Sequence, residues 1–259
     1  MKTLVCSLWR RRALLWYLVW VDLKLSYRNK VLGYLWSLLD PLMLMVVYVI
    51  LVQVIFRRGE PQYPVLLFSA LLAWRCFLHS TQEAATCITS KAKLLQTVAV
   101  PKIIFPTQVV VSNTLQYIFG LGALVPMLIL MKAKITPYAL WLIPVFGVQL
   151  VFTYGVCLIV AVVGVYFRDL QNILQFGLRM WWYLSPGLFS VADRIPERLQ
   201  RLYMIINPFA PLLETYKNIL VRGKPPSEYL AVAAAIAVAI MYFGLWVFSR
   251  KERDLAKDL

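Results

Sequence analysis

The chain contains a single histidine, His79, and four cysteines that form no Cys-x-x-Cys pair. One histidine excludes multi-histidine metal sites and leaves room for at most one histidine-based catalytic dyad. The phosphate-binding loop Gly-x-x-x-x-Gly-Lys-Ser/Thr is also missing, because the only Gly-Lys step is followed by Pro225. We therefore predict no catalytic residue, metal or cofactor in this chain, and any ATP must be bound by a partner.

Charged residues are scarce, at 15% of the chain, whereas ordinary soluble domains carry about 25%. Hydrophobic residues make up 61%, and residues 103–131, 135–167 and 229–249 contain no charge at all. Each of these stretches reaches the roughly 20 apolar residues that a helix needs to cross a bilayer. The sequence therefore predicts an all-α integral membrane protein.

Three further apolar segments are interrupted or shortened by charges, including Arg75 in the second predicted span and Arg179 in the fifth. We predict one membrane domain of six helices, preceded by a cytosolic and interfacial segment over residues 1–35. Short re-entrant helices are expected over residues 191–228, and residues 250–259 form a tail. The predicted spans are 36–56, 63–83, 107–131, 138–164, 170–190 and 229–249.

Lysine and arginine set the predicted orientation. Seven of them lie in residues 1–35, against Arg57 and Arg58 in the loop after the first span. The positive-inside rule therefore places the N-terminus in the cytoplasm, and six spans return the C-terminus to the same side. The net charge of +15 is spread beside membrane edges, which favours anionic lipid over nucleic acid as the partner.

Two segments outside the spans have amphipathic character. Residues 10–21 combine basic and apolar side chains and favour a helix at the membrane surface rather than a signal peptide. Residues 91–102 are predicted to form one short helix ended by Pro101. Such a helix usually packs on its own protein or on lipid, but it can also fill a groove in a partner.

Charges and aromatic rings inside the predicted spans are the candidate contacts for a substrate. A charge at the bilayer centre is unfavourable by about 3 kcal/mol, so Arg75 and Arg179 require compensation from a polar path, a buried partner or snorkelling. Aromatic faces near mid-span suit sugar rings, although an interfacial aromatic belt is the alternative. The candidate path residues are Tyr48, Trp74, Arg75, Phe77, Arg179, Trp181, Trp182, Tyr183 and Phe189.

Four potential metal ligands recur at helical spacings of three, four and four residues: Cys76, His79, Glu83 and Cys87. They span three helical turns, about 16 Å, which is too far for one ion to bind all four. We therefore interpret them as a polar face toward a partner helix or a water-filled cavity.

Four blocks carry a family resemblance. They are Asp22-Leu-Lys-Leu-Ser-Tyr-Arg with Val31-Leu-Gly-Tyr-Leu-Trp36 and Pro41, then Val100-Pro-Lys102, Tyr166-Phe-Arg-Asp-Leu170, and Asn207-Pro-Phe-Ala-Pro-Leu-Leu-Glu-Thr-Tyr216. Together they resemble the membrane permease subunit of ABC exporters of polysaccharide and polyol-phosphate polymers, namely O-antigen, capsule and teichoic acid. The blocks occur in the family's order and extend over residues 22–216. One departure is Asp40, where relatives often carry an uncharged amide.

The resemblance implies a homodimer in the bacterial inner membrane, with a cytosolic ATPase subunit on each half that binds ATP and Mg²⁺. A lipid-linked polymer would then move outward between the halves. The resemblance also implies four sets of functional residues. They are ATPase-coupling residues (Lys91, Lys93, Leu94, Leu95, Val98, Pro101, Lys102), interfacial-helix residues (Asp22, Lys24, Tyr27, Arg28), a juxtamembrane pair (Arg168, Asp169) and exit residues (Asn207, Pro208, Pro211, Glu214).

Two other functions stay open on the sequence alone. An ABC exporter of lipids or small hydrophobic molecules would keep the helices without needing mid-span Trp181 and Trp182. A membrane-embedded transferase acting on lipid-linked sugars would need paired carboxylates or histidines in a cavity, for which Asp40, Glu83 and His79 are available.

Overall fold

The computed structural model describes residues 8–27, 33–57, 62–92, 100–133 and 136–252. These residues are helical and contain no strand, and five of their helices are long and apolar enough to cross a membrane. The all-α membrane fold predicted from the sequence is therefore confirmed. The helices are α1 (Arg12–Tyr27), α2 (Trp36–Val49), α3 (Tyr63–Ala84), α4 (Ile104–Leu130), α5 (Leu142–Tyr166), α6 (Leu170–Leu184), α7 (Val191–Arg194), α8 (Glu197–Ile206), α9 (Ala210–Lys217) and α10 (Leu230–Lys251).

Short 3₁₀ and π segments extend several of these helices. The first span continues beyond α2 as a π-helical segment over Ile50–Ile55, and α9 continues likewise over Asn218–Arg222. A 3₁₀ segment, Pro137–Trp141, leads directly into α5. With these extensions, the first span covers 20 residues and the fourth covers 30.

Helix α6 is shorter than the predicted fifth span of residues 170–190. It ends at Leu184 after 15 residues, a length of about 22 Å, which does not reach across a hydrocarbon core of about 30 Å. The next residue, Ser185, is extended and precedes Pro186. Proline disfavours the helical conformation of the residue before it, so the helix stops here.

Helix α3 is the centre of the bundle. In its most apolar stretch 78% of the residues are buried, against 17% in the first span. It contacts α2, α4, α5, α6 and α9, and Pro64 in its first turn provides a backbone already suited to helix initiation. The second predicted span, which Arg75 made doubtful, is thus the most enclosed helix.

Helices α5 and α10 form the most extensive helix pair among the described residues. Two glycines allow it, because a Cβ on Gly244 would lie 2.4 Å from the carbonyl oxygen of Gly155. Small residues at such crossings let two helix backbones approach closely inside a membrane.

Contacts between helix ends show that consecutive helices run in opposite directions. At one end, which we call the α1 end, the amine of Lys102 donates to the carbonyl of Glu252. At the other, the α8 end, Gln62 donates to the carbonyl of Lys132 over 3.3 Å, and Tyr63 donates to the carbonyl of Leu188 over 3.2 Å. The beginning of α3 and the ends of α4 and α6 therefore meet at the α8 end.

Helix α1 lies at the α1 end and has two distinct faces. Val19 is buried, and Leu14 and Leu18 pack on the core around the beginning of α4. The opposite face carries four exposed large aromatic side chains: Trp9, from the turn before the helix, Trp16, Tyr17 and Trp20.

Candidate functional site

An aromatic cluster joins α2, α3, α5, α6 and the turn before α9. Trp74 of α3 is at its centre, with ring centroids 5.6 Å from Trp181, 5.5 Å from Trp182 and 5.1 Å from Phe209. Edge-to-face and tilted geometries dominate, as expected for rings that pack in a core. The cluster consists of Tyr48, Trp74, Phe77, Phe152, Trp181, Trp182 and Phe209.

This packing places part of the predicted substrate path inside the bundle. Trp74, Phe77 and Trp182 are only 2%, 0% and 3% exposed, enclosed by helices of their own chain. In this structure the rings hold helices together, so their contact with a substrate stays a prediction that requires helix movement. Mid-span position alone does not distinguish a ring that faces a path from one that holds helices together.

Helix α6 has three faces, and one of them is both exposed and polar. Leu178 and Trp182 point into the core, while Phe176 and Met180 are exposed on an apolar face. Between these faces lie four exposed residues at successive spacings of four, which we call the polar face of α6: Gln171, Gln175, Arg179 and Tyr183.

The polar face of α6 is adjacent to the first span. The hydroxyl of Tyr183 lies 3.5 Å from the hydroxyl of Tyr48 on α2. Tyr48 is 8% exposed, whereas Tyr183 is 51% exposed, so the pair leads from the aromatic cluster to the surface. Two of the predicted path residues, Arg179 and Tyr183, therefore lie on one exposed surface of this chain. Phe189, beyond the end of α6, is partly buried.

The two least expected charges of the sequence form an ion pair. Nη2 of Arg75 on α3 lies 2.5 Å from Oδ2 of Asp40 on α2. The pair supplies the compensation that a charge within a span requires, and it gives Asp40 a local partner. The Arg75 side chain is 20% exposed and the Asp40 side chain 61%.

The segment after α6 is held by Asn207. Its amide oxygen accepts a hydrogen bond from the Trp181 indole over 3.0 Å and another from the backbone nitrogen of Phe209 over 3.2 Å. Its amide nitrogen donates to the hydroxyl of Ser185 over 2.9 Å. This predicted exit residue therefore connects α6 to the turn that begins α9, and Pro208 lies in that turn.

The remaining exit residues belong to α9 and its π-helical extension. Pro211 lies in the first turn of α9, and Oε1 of Glu214 accepts a hydrogen bond from Nη1 of Arg222 over 2.7 Å. Lys217 is buried, and its amine donates to the carbonyls of Pro186 and Phe189. These bonds fix α9 beneath the segment that follows α6.

Several residues that hold the spans together were not identified from the sequence. Gln149 of α5 donates to the carbonyl of Ala73 over 2.9 Å and accepts from the hydroxyl of Tyr216 over 2.8 Å. Asn113 of α4 donates to the Glu83 carboxylate over 2.8 Å. The sequence signal that could have identified them is a lone amide side chain within an apolar run. Such a group requires a hydrogen-bond partner inside the membrane.

The coupling and surface residues are only partly described. Lys93, Leu94, Leu95 and Val98 of the predicted coupling segment lie outside the described residues, as do Arg28 and the side chain of Tyr27. Lys91 ends a 3₁₀ segment, and Pro101 precedes the buried Lys102. Asp22 and Lys24 lie on α1. Arg168 and Asp169 are exposed in the turn between α5 and α6.

The stripe of potential metal ligands does not converge. Cys76 and Cys87 are buried free thiols, and the Glu83 carboxylate is bound by Asn113. Within the described ranges, no group of three histidine, cysteine or acidic side chains lies close enough to hold a metal ion.

The chain is similar over most or all of its length to known export permeases and a polysialic acid transport protein. It is 31% identical to the O-antigen export system permease protein RfbA of Myxococcus xanthus, with all of both chains covered. It is 26% identical to the RfbA permease of Klebsiella pneumoniae over 92% of each chain. It is 23% identical to the polysialic acid transport protein KpsM of Escherichia coli, over 86% of this chain and 88% of the relative. No protein-family model matches.

Proposed function

Because the chain belongs to the family of membrane permease subunits of polysaccharide ABC exporters, we propose that it moves a lipid-linked polysaccharide or teichoic-acid-type polymer outward across the bacterial cytoplasmic membrane. Two copies form the transporter, and each binds one cytosolic ATPase subunit. ATP and Mg²⁺ are held by those partners, since this sequence has no phosphate-binding loop. The polymer passes between the two copies.

The polar face of α6 is the observation that carries this proposal. Its four residues are exposed along a helix within a largely apolar bundle: Gln171, Gln175, Arg179 and Tyr183. Lipid tails cannot satisfy amide or guanidinium groups, so such a face requires water, a polar substrate or another polar surface. A path filled with water and hydroxyl-rich sugar meets this requirement.

The distribution of aromatic and basic side chains at the α1 end supports a cytosolic orientation. Four cation–π pairs of the described residues lie at this end: Arg12 over Trp9 at 5.3 Å, Lys24 over Trp20 at 4.6 Å, Arg250 over Trp246 at 4.5 Å and Lys251 over Tyr166 at 5.7 Å. Such residues mark a membrane interface, and lysine and arginine predominate on the cytosolic side. Both termini are therefore assigned to the cytosol.

The movement that ATP hydrolysis drives in the partner subunit is transmitted to the helix bundle at the α1 end. Residues 91–102 connect α3 to α4, and the Lys102 amine at their end donates to the Glu252 carbonyl beyond α10. A partner that moves this segment would thus act on the first turns of α4 and on the end of α10. Helix α1 packs against α4 and would follow the same movement.

Deletion of the gene tests the proposed function. Polysaccharide is then measured separately at the cell surface and, as the lipid-linked form, in the inner-membrane and cytosolic fractions. Export predicts loss of the surface polymer and accumulation of lipid-linked polymer inside, both reversed by the wild-type gene. Unchanged surface polymer would contradict the proposal.

A further inference from the structure

We propose that Arg75 binds the phosphate head of the lipid carrier, and that the Asp40 carboxylate occupies this position until the head displaces it. The inference rests on the proposed function, since it names the part of a lipid-linked substrate that the site recognises. The structural observation is the ion pair between the first span and α3.

The two partners of this pair differ in how firmly they are held. Arg75 comes from the most enclosed helix, and its side chain is 20% exposed. Asp40 comes from the least enclosed span, and its side chain is 61% exposed. The guanidinium is thus the fixed member, and the carboxylate can leave it toward the surface without crossing the core.

The exposure of Asp40 indicates what that surface meets. Asp40 is four residues from the start of α2, about 6 Å along the helix, and Met43 and Val47 next to it are exposed and apolar. This position is close to the membrane interface, where water and lipid head groups are present. The surface around the pair is therefore open to a polar group that approaches from the α1 end.

A phosphate can replace the Asp40 carboxylate on the Arg75 guanidinium. Both present oxygens to the planar fork of a guanidinium, and a phosphate adds charge and acceptors.

The depth of Arg75 also matches the proposed path. Arg75 is nine residues before the end of α3, and Arg179 is nine residues after the start of α6. Both are thus about 14 Å along their helices from the α1 end. Helices α3 and α6 contact each other. A phosphate head in the place of Asp40 would lie between this level and the α1 end, and the attached sugars would extend along the polar face of α6.

The test measures binding to the full chain with its ATPase partner in phosphatidylcholine nanodiscs. The probes are a long-chain polyprenyl diphosphate, the uncharged polyprenol and inorganic pyrophosphate. We expect the wild type to prefer the diphosphate lipid over the polyprenol. Asp40→Asn removes the competing charge and should tighten diphosphate binding about tenfold, and Arg75→Gln should abolish the preference.

Arg75→Lys is a second variant in case Arg75→Gln or Asp40→Asn does not fold. It keeps the ion pair and the thermal stability but loses the fork, so it should weaken diphosphate binding severalfold. Glu197→Gln is the control, because it removes an exposed carboxylate on α8 and should leave all three affinities unchanged.

Opposite results overturn the inference. If Asp40→Asn binds the diphosphate lipid no tighter than the wild type, the ion pair is only structural. If pyrophosphate binds as tightly as the lipid, the ligand is a free anion and the lipid-head assignment is wrong. These failures leave the proposed function intact when gene deletion still traps polymer inside, whereas unchanged surface polymer on deletion defeats the function itself.

Discussion

The indole nitrogen of Trp181 lies 3.0 Å from the amide oxygen of Asn207 and donates a hydrogen bond to it. This bond connects the last turn of α6 to the turn before α9. Trp181 also belongs to the aromatic cluster, so the polar exit segment and the apolar core share one side chain. Substitution of either residue should therefore change the position of the other.

Asn207→Ala should destabilise the protein by about 2 to 3 kcal/mol, because the Trp181 indole and the Ser185 hydroxyl lose their partner. The measurement is thermal unfolding in detergent, followed by tryptophan fluorescence. Asn172→Ala changes an exposed amide of α6 and should stay within about 0.5 kcal/mol. Equal stability of the two variants would contradict a structural role for Asn207.

Gly187→Ala should destabilise the protein by about 1 to 3 kcal/mol, because the added Cβ would lie 2.3 Å from the Trp182 ring and force it to move. Gly177→Ala on α6 is the matched control. Nothing lies within 4 Å of its Cβ position, so this variant should be neutral or up to about 1 kcal/mol more stable. Thermal unfolding of the pair measures the contrast, and a Gly187→Ala variant as stable as Gly177→Ala would refute the packing argument.

Glu214 and Arg222 should be energetically coupled by about 1 to 3 kcal/mol. Their side chains are only 13% and 16% exposed, so Glu214→Gln or Arg222→Met alone leaves a poorly solvated charge. A double-mutant cycle of unfolding free energies tests this. The double variant should be more stable than the sum of the single losses indicates, and strict additivity would show that the pair contributes nothing.

Removal of charge from the polar face of α6 should lower export while leaving stability unchanged. Arg179→Gln keeps an exposed polar side chain and removes only the charge that would meet the substrate. Surface polysaccharide should fall several-fold in cells that contain the same amount of the permease as wild-type cells. Immunoblots of the surface polysaccharide and of the permease measure the two quantities. Met180→Leu, on the exposed apolar face next to it, should export normally. Equal export by both would exclude the polar face from the path.

Replacement of Trp181 and Trp182 by leucine tests whether the aromatic cluster holds α6 in place. We expect lower thermal stability and lost surface polymer, because the cluster that positions α6 would collapse around the missing rings. Wild-type stability and normal surface polymer in this variant would show that the two rings are not needed to position α6.

Local signals in the chain predicted most of the helices. The long apolar runs gave the first, third, fourth and last spans to within about three residues, since a membrane helix satisfies its own backbone and depends little on its neighbours. The fifth span was predicted too long. The helix stops before Pro186, because proline disfavours the helical conformation of the residue that precedes it, although the residues beyond it are still mostly apolar.

The chain by itself determined that this protein is an α-helical membrane protein, which family it resembles, and that Asp40 and Arg75 needed partners. Apolar length, charge position and local motifs carry that information, because insertion into a bilayer is decided segment by segment. Only the tertiary structure decided that Asp40 and Arg75 pair with each other, that Trp74 and Trp182 are enclosed, and that Arg179 and Tyr183 share an exposed face. Which neighbour a side chain meets depends on how helices cross and rotate, and that geometry arises from packing among residues far apart in the sequence.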